Sequence, residues 1–343
     1  MKTLTVGIAG TAKNTGKTTT MSYLMNEIKK ISGLCLGLTS IGFDGEGFDN
    51  VTGLPKPRIQ VWPGNIVAMA EKCNRFCSAA LEEIRRTDIA TPLGKVVISR
   101  VVSPGKVVLA GANNRRDLHI VLDTLRELTD FIIVDGALSR IAPMVEADCL
   151  IFVTGAARFV EIERLAGESR SMVNILSTPL LANYGNTERV ESIFGQAGFE
   201  AFLEKCAVAD SVHVRGVITV QYLEKLAGLR GNELRGKRLI FADPIKLLLA
   251  GDAEAVLRVL GKLSVEAGAS IGVAKPCKLL AMTVNPYYPK YRYNRADYEE
   301  AYVDSFELLS AVSQSVNVPC FDVVKQGGEG IFKMVMDFRK DYK

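Results

Sequence analysis

The sequence predicts an α/β protein: a mainly parallel, doubly wound sheet with helices on both faces, interrupted by an inserted α/β subdomain. Three observations carry this expectation. Leu4, Val6, Ile8 and Ala9 form a short apolar run, and a glycine-containing turn separates it from a segment with Met21, Leu24, Met25 and Ile28 at helical spacing. Asp130 to Ala137 (DFIIVDGA) and Asp148 to Thr154 (DCLIFVT) are continuous apolar runs of the kind that strands buried on both faces require. Helix-period segments lie between these runs, and strand alternating with helix implies parallel strands joined by crossovers. The expected division is a core over residues 1–160, an inserted subdomain over 161–270, and a return to the core over 271–343.

The first run leads into Gly10-Thr11-Ala12-Lys13-Asn14-Thr15-Gly16-Lys17-Thr18-Thr19. A strand, a turn with glycines at its start and end, Gly-Lys-Thr and an amphipathic helix suit a phosphate chain. A turn whose backbone N–H groups face inward, ahead of the positive end of a helix dipole, binds multiple negative charges without side chains. Gly10 and Gly16 leave room for that approach. Lys17 supplies a mobile positive charge for the outer phosphates and the Thr18 hydroxyl a magnesium ligand. Gly10, Thr11, Asn14, Thr15, Gly16, Lys17, Thr18 and Thr19 are therefore the expected nucleotide contacts. Such a turn usually carries a glycine five positions before Gly16, where Thr11 stands here. With Gly10-Thr11 opening it and Gly16-Lys17-Thr18 closing it, the turn resembles the phosphate loop of dethiobiotin synthetase and its relatives, which implies a P-loop NTPase fold.

Composition narrows the classes of partner. The chain has 343 residues, 48% hydrophobic and 23% charged, as in globular proteins. A net charge of +4, with no basic run interleaved with aromatics, does not indicate nucleic acid. No apolar run has membrane-span length, and the first strand begins almost at once, so neither a membrane anchor nor a signal peptide is expected and the location is expected to be cytoplasmic. Seven cysteines, an odd number without paired spacing, imply reduced and mostly buried thiols. Cys73 and Cys77 lie one helical turn apart, but no second cysteine pair or nearby histidine completes a tetrahedral metal site. With only His119 and His213, a histidine-based triad or multi-histidine metal centre is disfavoured.

Along the chain, Leu34 to Ile41 reads as a second buried strand, followed by Gly42-Phe43-Asp44-Gly45-Glu46-Gly47-Phe48-Asp49. Carboxylates at the carboxyl end of a parallel strand lie where open α/β sheets bind ligands. Asp44 is an expected magnesium-associated group, and Asp44 or Glu46 an expected water-orienting one; an acidic surface turn is the structural alternative. Gly53 to Gly64 suits either a surface excursion or a lid. Asn65 to Arg86 reads as helical, and Lys95 to Val102 and Lys106 to Ala110 as strands. Asn114 is a plausible cap for the next helix, and Arg115 and Arg116 either face solvent or meet an anion there. Asp135 ends the buried run of DFIIVDGA, the position from which a carboxylate serves a magnesium nucleotide across from the phosphate loop. Ser139 and Arg140 follow closely. Val214 to Val220 and Arg238 to Ala242 read as strands of the insertion, and Ile245 to Leu260 as helix broken at Gly251-Asp252. Lys278 to Val284 resumes the core. Asn285, before Pro286, sits where relatives of dethiobiotin synthetase contact the base, and its amide fits an adenine edge; an Asx turn fits equally. Tyr287, Tyr288, Tyr291 and Tyr293 suggest a docking or ligand-facing surface, Glu299 to Val316 a helix, and Val318 to Val323 a final strand.

Three functions share Lys17, Thr18 and Asp135: an ATPase driving work on a partner protein, an ATP-dependent ligase or kinase of the dethiobiotin synthetase kind acting on a small carboxylate, and a nucleotide-gated binding protein. Besides the phosphate loop, Val134-Asp135-Gly136-Ala137, Val153-Thr154-Gly155-Ala156 and Thr283-Val284-Asn285-Pro286 resemble the small subunit of the lysine 5,6-aminomutase reactivase. That resemblance implies ATP and Mg²⁺ as cofactors, with a second ATPase subunit and an adenosylcobalamin-dependent aminomutase as partners. The role it implies is a reactivating chaperone that exchanges damaged cobalamin. It leaves a homodimer open. The lysine that dethiobiotin synthetases carry just after the second strand has no counterpart at Ser40 to Asp44, which weighs against the ligase.

Overall fold

The structure, a computed structural model, describes residues 2–42, 59–229 and 233–342. Two compact units emerge, Met1–Ala166 with Leu280–Lys343, and Gly167–Leu279. The first contains β1 (Leu4–Gly10), α1 (Lys17–Lys29), β2 (Leu36–Ser40), β3 (Ile59–Val61), β4 (Ile66–Ala70), β5 (Leu81–Thr91), β6 (Gly94–Val101), β7 (Gly105–Val107), α2 (Arg115–Arg126), β8 (Phe131–Ala137) and β9 (Cys149–Gly155). α3 (Ile162–Leu176) leads into the second unit, which holds β10 (Thr187–Val190), α4 (Gly195–Val208), β11 (Ser211–Val214), α5 (Val220–Ala227), β12 (Arg238–Phe241), α6 (Pro244–Leu248), α7 (Ala253–Val265) and β13 (Ser270–Val273). The chain then returns through β14 (Leu279–Asn285), β15 (Tyr287–Arg292), β16 (Asp297–Tyr302), α8 (Ser305–Ser315), β17 (Cys320–Phe321), α9 (Val323–Gln326) and α10 (Glu329–Asp341).

The large sheet is mostly parallel, with strand order β17-β14-β9-β1-β8-β2-β4-β6-β5. Pairings from β9 through β4 are parallel, as is β14 with β17; β6 and β5 add antiparallel strands at one edge. β1 is central and buried at every residue, as a strand covered on both faces must be. β9 follows β8 in sequence yet lies on the other side of β1. The direction of winding therefore reverses at β1, the kind of position at whose carboxyl end open α/β sheets bind ligands. Met21, Leu24, Met25 and Ile28 of α1 pack in one core with Ile331 and Val335 of α10 and with Leu4, Val6 and Ile8 of β1. Among the described residues no helix is long and apolar enough to cross a membrane.

Several local expectations change. The segment read as helical from Asn65 to Arg86 is strand β4, a 3₁₀ turn over Glu71–Phe76, and the start of strand β5. An apolar run as short as Ile66–Ala70 does not distinguish helix from strand by periodicity, and pairing to β2 and β6 decides it. The helix-forming glutamates and arginines of β5 are held extended by pairing to β6, tertiary context overriding propensity. The helix expected from Glu299 begins only at Ser305, where Asp304 accepts a hydrogen bond from Glu307 N–H; Asp297–Tyr302 pairs with β15 instead. The last core strand is limited to Cys320–Phe321.

The second unit is a parallel four-stranded sheet in sequential order β10-β11-β12-β13. The strand read at Val214 to Val220 lies at Ser211–Val214, and β10, α4 and β13 are elements that the sequence pattern does not predict. The helical segment from Ile245 does break at Gly251-Asp252, where Asp252 caps α7 by accepting from Ala255 N–H at 3.0 Å.

Candidate functional site

Between β1 and α1 the chain turns through Thr11 to Gly16, with Asn14 (φ 62°) and Gly16 (φ 92°, ψ 15°) in left-handed conformation. Gly16 meets a second constraint, because a Cβ there would lie 3.1 Å from Asn285 Cβ and 3.2 Å from its Nδ2. At Gly10 a Cβ would approach Thr15 Oγ1 at 3.2 Å. The first intrahelical bond runs from Thr20 N–H to Gly16 O at 2.8 Å. The amides of Lys17, Thr18 and Thr19 therefore precede the helical ladder at the positive end of the dipole. Gly16 gives no side-chain cap, and the first turn carries no acid. The turn is pinned from outside: Thr11 N–H donates to Val153 O at 2.9 Å, and Thr11 Oγ1 pairs with Thr154 Oγ1 at 3.0 Å. Thr15 Oγ1 donates to Ala12 O at 3.0 Å, and buried Thr20 Oγ1 meets Thr283 Oγ1 of β14 at 2.8 Å. Thr154 and Thr283 are supports that only strand register reveals.

The parallel register of β1 and β8 sets Ile8 beside Asp135 and Gly10 beside Ala137. This places the Asp135 carboxylate beside the turn, with Lys17 Nζ 3.1 Å from its Oδ1 and both side chains about one-fifth exposed. Oδ1 is itself buried and accepts no aligned hydrogen bond from the described residues, so the ammonium lies at ion-pair distance without hydrogen-bonding direction. A carboxylate oxygen out of water with one cation and no other donor retains capacity for a further positive ligand.

Asn285, expected to pair with a base or start an Asx turn, uses both amide atoms within the chain. Its Nδ2 donates to Asn14 O at 3.2 Å, and its Oδ1 accepts from Tyr287 N–H at 3.2 Å, the contact of an Asx turn. Arg140 lies over the carboxyl end of β2, its Cδ and Nε 3.1 and 3.2 Å from where a Gly42 Cβ would stand, whereas Ser139 is exposed. Asp44 and Glu46 lie outside the described residues, as does the Gly53–Gly64 segment up to residue 58. Its described end forms β3, paired to β7, and Trp62, whose ring has Lys29 Nζ 4.2 Å from its centroid. Asn114 caps α2 by accepting from Asp117 N–H at 2.9 Å. Arg115 and Arg116 are both exposed, Arg115 pairing with the Glu146 carboxylate at 2.6 Å, and His119 Nδ1 lies 2.9 Å from the same carboxylate.

All seven cysteines are free thiols; burial pushes Cys73 up to about 11, and its neighbour Cys77 adds to the rise. Among the described residues no group of three or more His, Cys, Asp or Glu is arranged to hold a metal. Thr18 and Asp135 form no such group, and a magnesium ion carried by phosphates needs only one or two protein ligands. The β15–β16 hairpin places Tyr287, Tyr291, Tyr298 and Tyr302 on one face and the pairs Lys290–Glu299 and Arg292–Asp297 on the other. Surface depressions at Arg115, His119 and Glu146 and, in the second unit, at Leu203, Cys206 and Lys237 contain no residue of the turn. No family model, curated protein or solved structure matches the chain.

Proposed function

We propose that the turn between β1 and α1 binds the phosphates of ATP with magnesium, and that the chain is a P-loop ATPase. The observation that carries the proposal is the Lys17–Asp135 pair, set beside a turn with two left-handed residues and an uncapped helix start. A structural ion pair would satisfy its buried oxygen with aligned donors; among the described residues Asp135 Oδ1 has none. In this proposal the loop amides and Lys17 bind the β and γ phosphates, and Lys17 exchanges its carboxylate partner for phosphate oxygens. The Thr18 hydroxyl and the Asp135 carboxylate are hard oxygen donors suited to magnesium, which when bound offsets phosphate charge. Asp44 or Glu46 orients the attacking water.

The finer role follows from the sequence resemblance: a reactivating chaperone that works with a second ATPase subunit on an adenosylcobalamin-dependent aminomutase.

Titration calorimetry with Mg-ATP tests the site. Hydrogen bonds to charged groups contribute about 1.5–3 kcal/mol, so Lys17→Ala should weaken binding roughly ten- to a hundredfold. Asp135→Asn should retain part of the affinity and lose its magnesium dependence. Unchanged affinity in Lys17→Ala overturns the assignment. For the finer role, an inactivated aminomutase supplied with both subunits, ATP and fresh cofactor should regain turnover; no ATP-dependent recovery refutes it.

A further inference from the structure

We propose that Asn285 is a positioning residue that locks one peptide of the phosphate loop, and that it acts on phosphate affinity without reading the base. The inference rests on the phosphate-binding function proposed above. Asn285 is held from several sides. Its carbonyl accepts from Ala156 N–H at 2.9 Å, at the end of β9. Gly155 lies so close that a Cβ there would stand 2.3 Å from the same oxygen. On the side chain, Tyr287 N–H at 3.2 Å fixes Oδ1 and thereby turns Nδ2 toward Asn14 O, also at 3.2 Å. The amide is thus oriented by the hairpin and directs one of its two N–H groups onto the loop.

The consequence follows from the trans peptide. All peptide bonds among the described residues are trans, and in a trans unit C=O and the following N–H point in opposite directions. Drawing the Asn14 carbonyl onto Asn285 therefore turns the Thr15 N–H away from Asn285. Gly16, on the Asn285 side of the turn, has no Cβ to push that amide aside. Asn14 has φ 62°, a left-handed conformation that asparagine adopts more readily than most residues, and loss of the Asn285 Nδ2 bond would free the peptide after it to turn about the Asn14 ψ and Thr15 φ axes. After rotation a carbonyl would stand where an N–H stood, opposing a phosphate instead of binding it.

The test measures affinities of the full chain for Mg-ATP, Mg-GTP and Mg-tripolyphosphate in wild type, Asn285→Ala, Asn285→Asp and Lys17→Ala, with thermal unfolding of each. Removal of the Nδ2 donor should weaken all three ligands by one common factor, about tenfold. Asn285→Asp, which keeps the acceptor for Tyr287 N–H but loses the donor, should lose at least as much as Asn285→Ala while its melting temperature stays near wild type. A purely structural role would move the melting temperature and leave the affinities of folded protein alone, which overturns the proposal. A loss for ATP with tripolyphosphate unchanged also overturns it and assigns Asn285 to the base. If Lys17→Ala weakens binding and both Asn285 variants bind like wild type, the positioning role alone fails. If wild type binds none of the three ligands, both proposals fall.

Discussion

Gly16→Ala probes the most constrained point of the turn, and Gly33→Ala supplies its control. Both glycines have positive φ, 92° and 81°, so alanine pays a similar left-handed backbone penalty at each, about 1–2 kcal/mol. Each also gains about 0.4–1 kcal/mol from a less flexible unfolded chain, leaving a net cost near 1 kcal/mol. Their surroundings differ. Among the described residues a Cβ at Gly33 meets nothing within 4 Å, whereas one at Gly16 meets Asn285 Cβ, Nδ2 and Cγ at 3.1, 3.2 and 3.3 Å. Those atoms are anchored by the Asn14 and Tyr287 hydrogen bonds and yield only by breaking them. Overpacking a constrained contact costs about 1–3 kcal/mol, so Gly16→Ala should exceed Gly33→Ala by roughly that amount. Urea unfolding followed by tryptophan fluorescence measures it, because the single tryptophan, Trp62, packs against the core of the first unit. Equal losses in the two variants would show that Asn285 moves freely and would refute the account of the turn.

Two further outcomes are expected. Thr20→Val strands the Thr283 hydroxyl, both residues being 1% exposed, and should cost about 1–3 kcal/mol, with Thr20→Val/Thr283→Val recovering part of the loss; a double variant as unstable as the sum of the singles would show that the pair is not coupled. Burial pushes the Cys206 thiol from 9.0 up to about 12, so folding keeps it protonated where the unfolded chain ionises; its contribution is whole below pH 9 and is lost as pH rises toward 12. The melting temperature should therefore fall less steeply above pH 9 in Cys206→Ala than in wild type, and parallel slopes would count against that burial.

The parallel sheet was legible because its strands are continuous apolar runs too short for helices, and the turn because Gly10 and Gly16 punctuate the passage from an apolar run to a helix-period segment that Lys17 opens. Asp135 was legible for the same reason, being the first charge after a buried run. What stayed hidden depended on partners distant in sequence. Ile66–Ala70 and Leu81–Thr91 become strands only through β2 and β6, and nothing local to Thr154 or Thr283 marks them as supports for the turn. Asn285 shows the limit well: its place beside the site follows from a strand end, but its direction is set by a backbone N–H two residues on and a carbonyl on the loop. Sequence distance gave no information on either.

The highly charged β5 has a further consequence. It forms one rim of the large sheet, with Glu82, Glu83, Arg85, Arg86 and Asp88 exposed and two register shifts breaking its ladder. At the opposite rim, β17 spans only Cys320–Phe321. A neighbouring chain seeking a flat row of unpaired backbone groups would meet a kinked strand crowded with charges of both signs on one side and a two-residue strand on the other. The sheet thus terminates itself at both margins, which guards an otherwise apolar, strand-rich architecture against growing into a fibre.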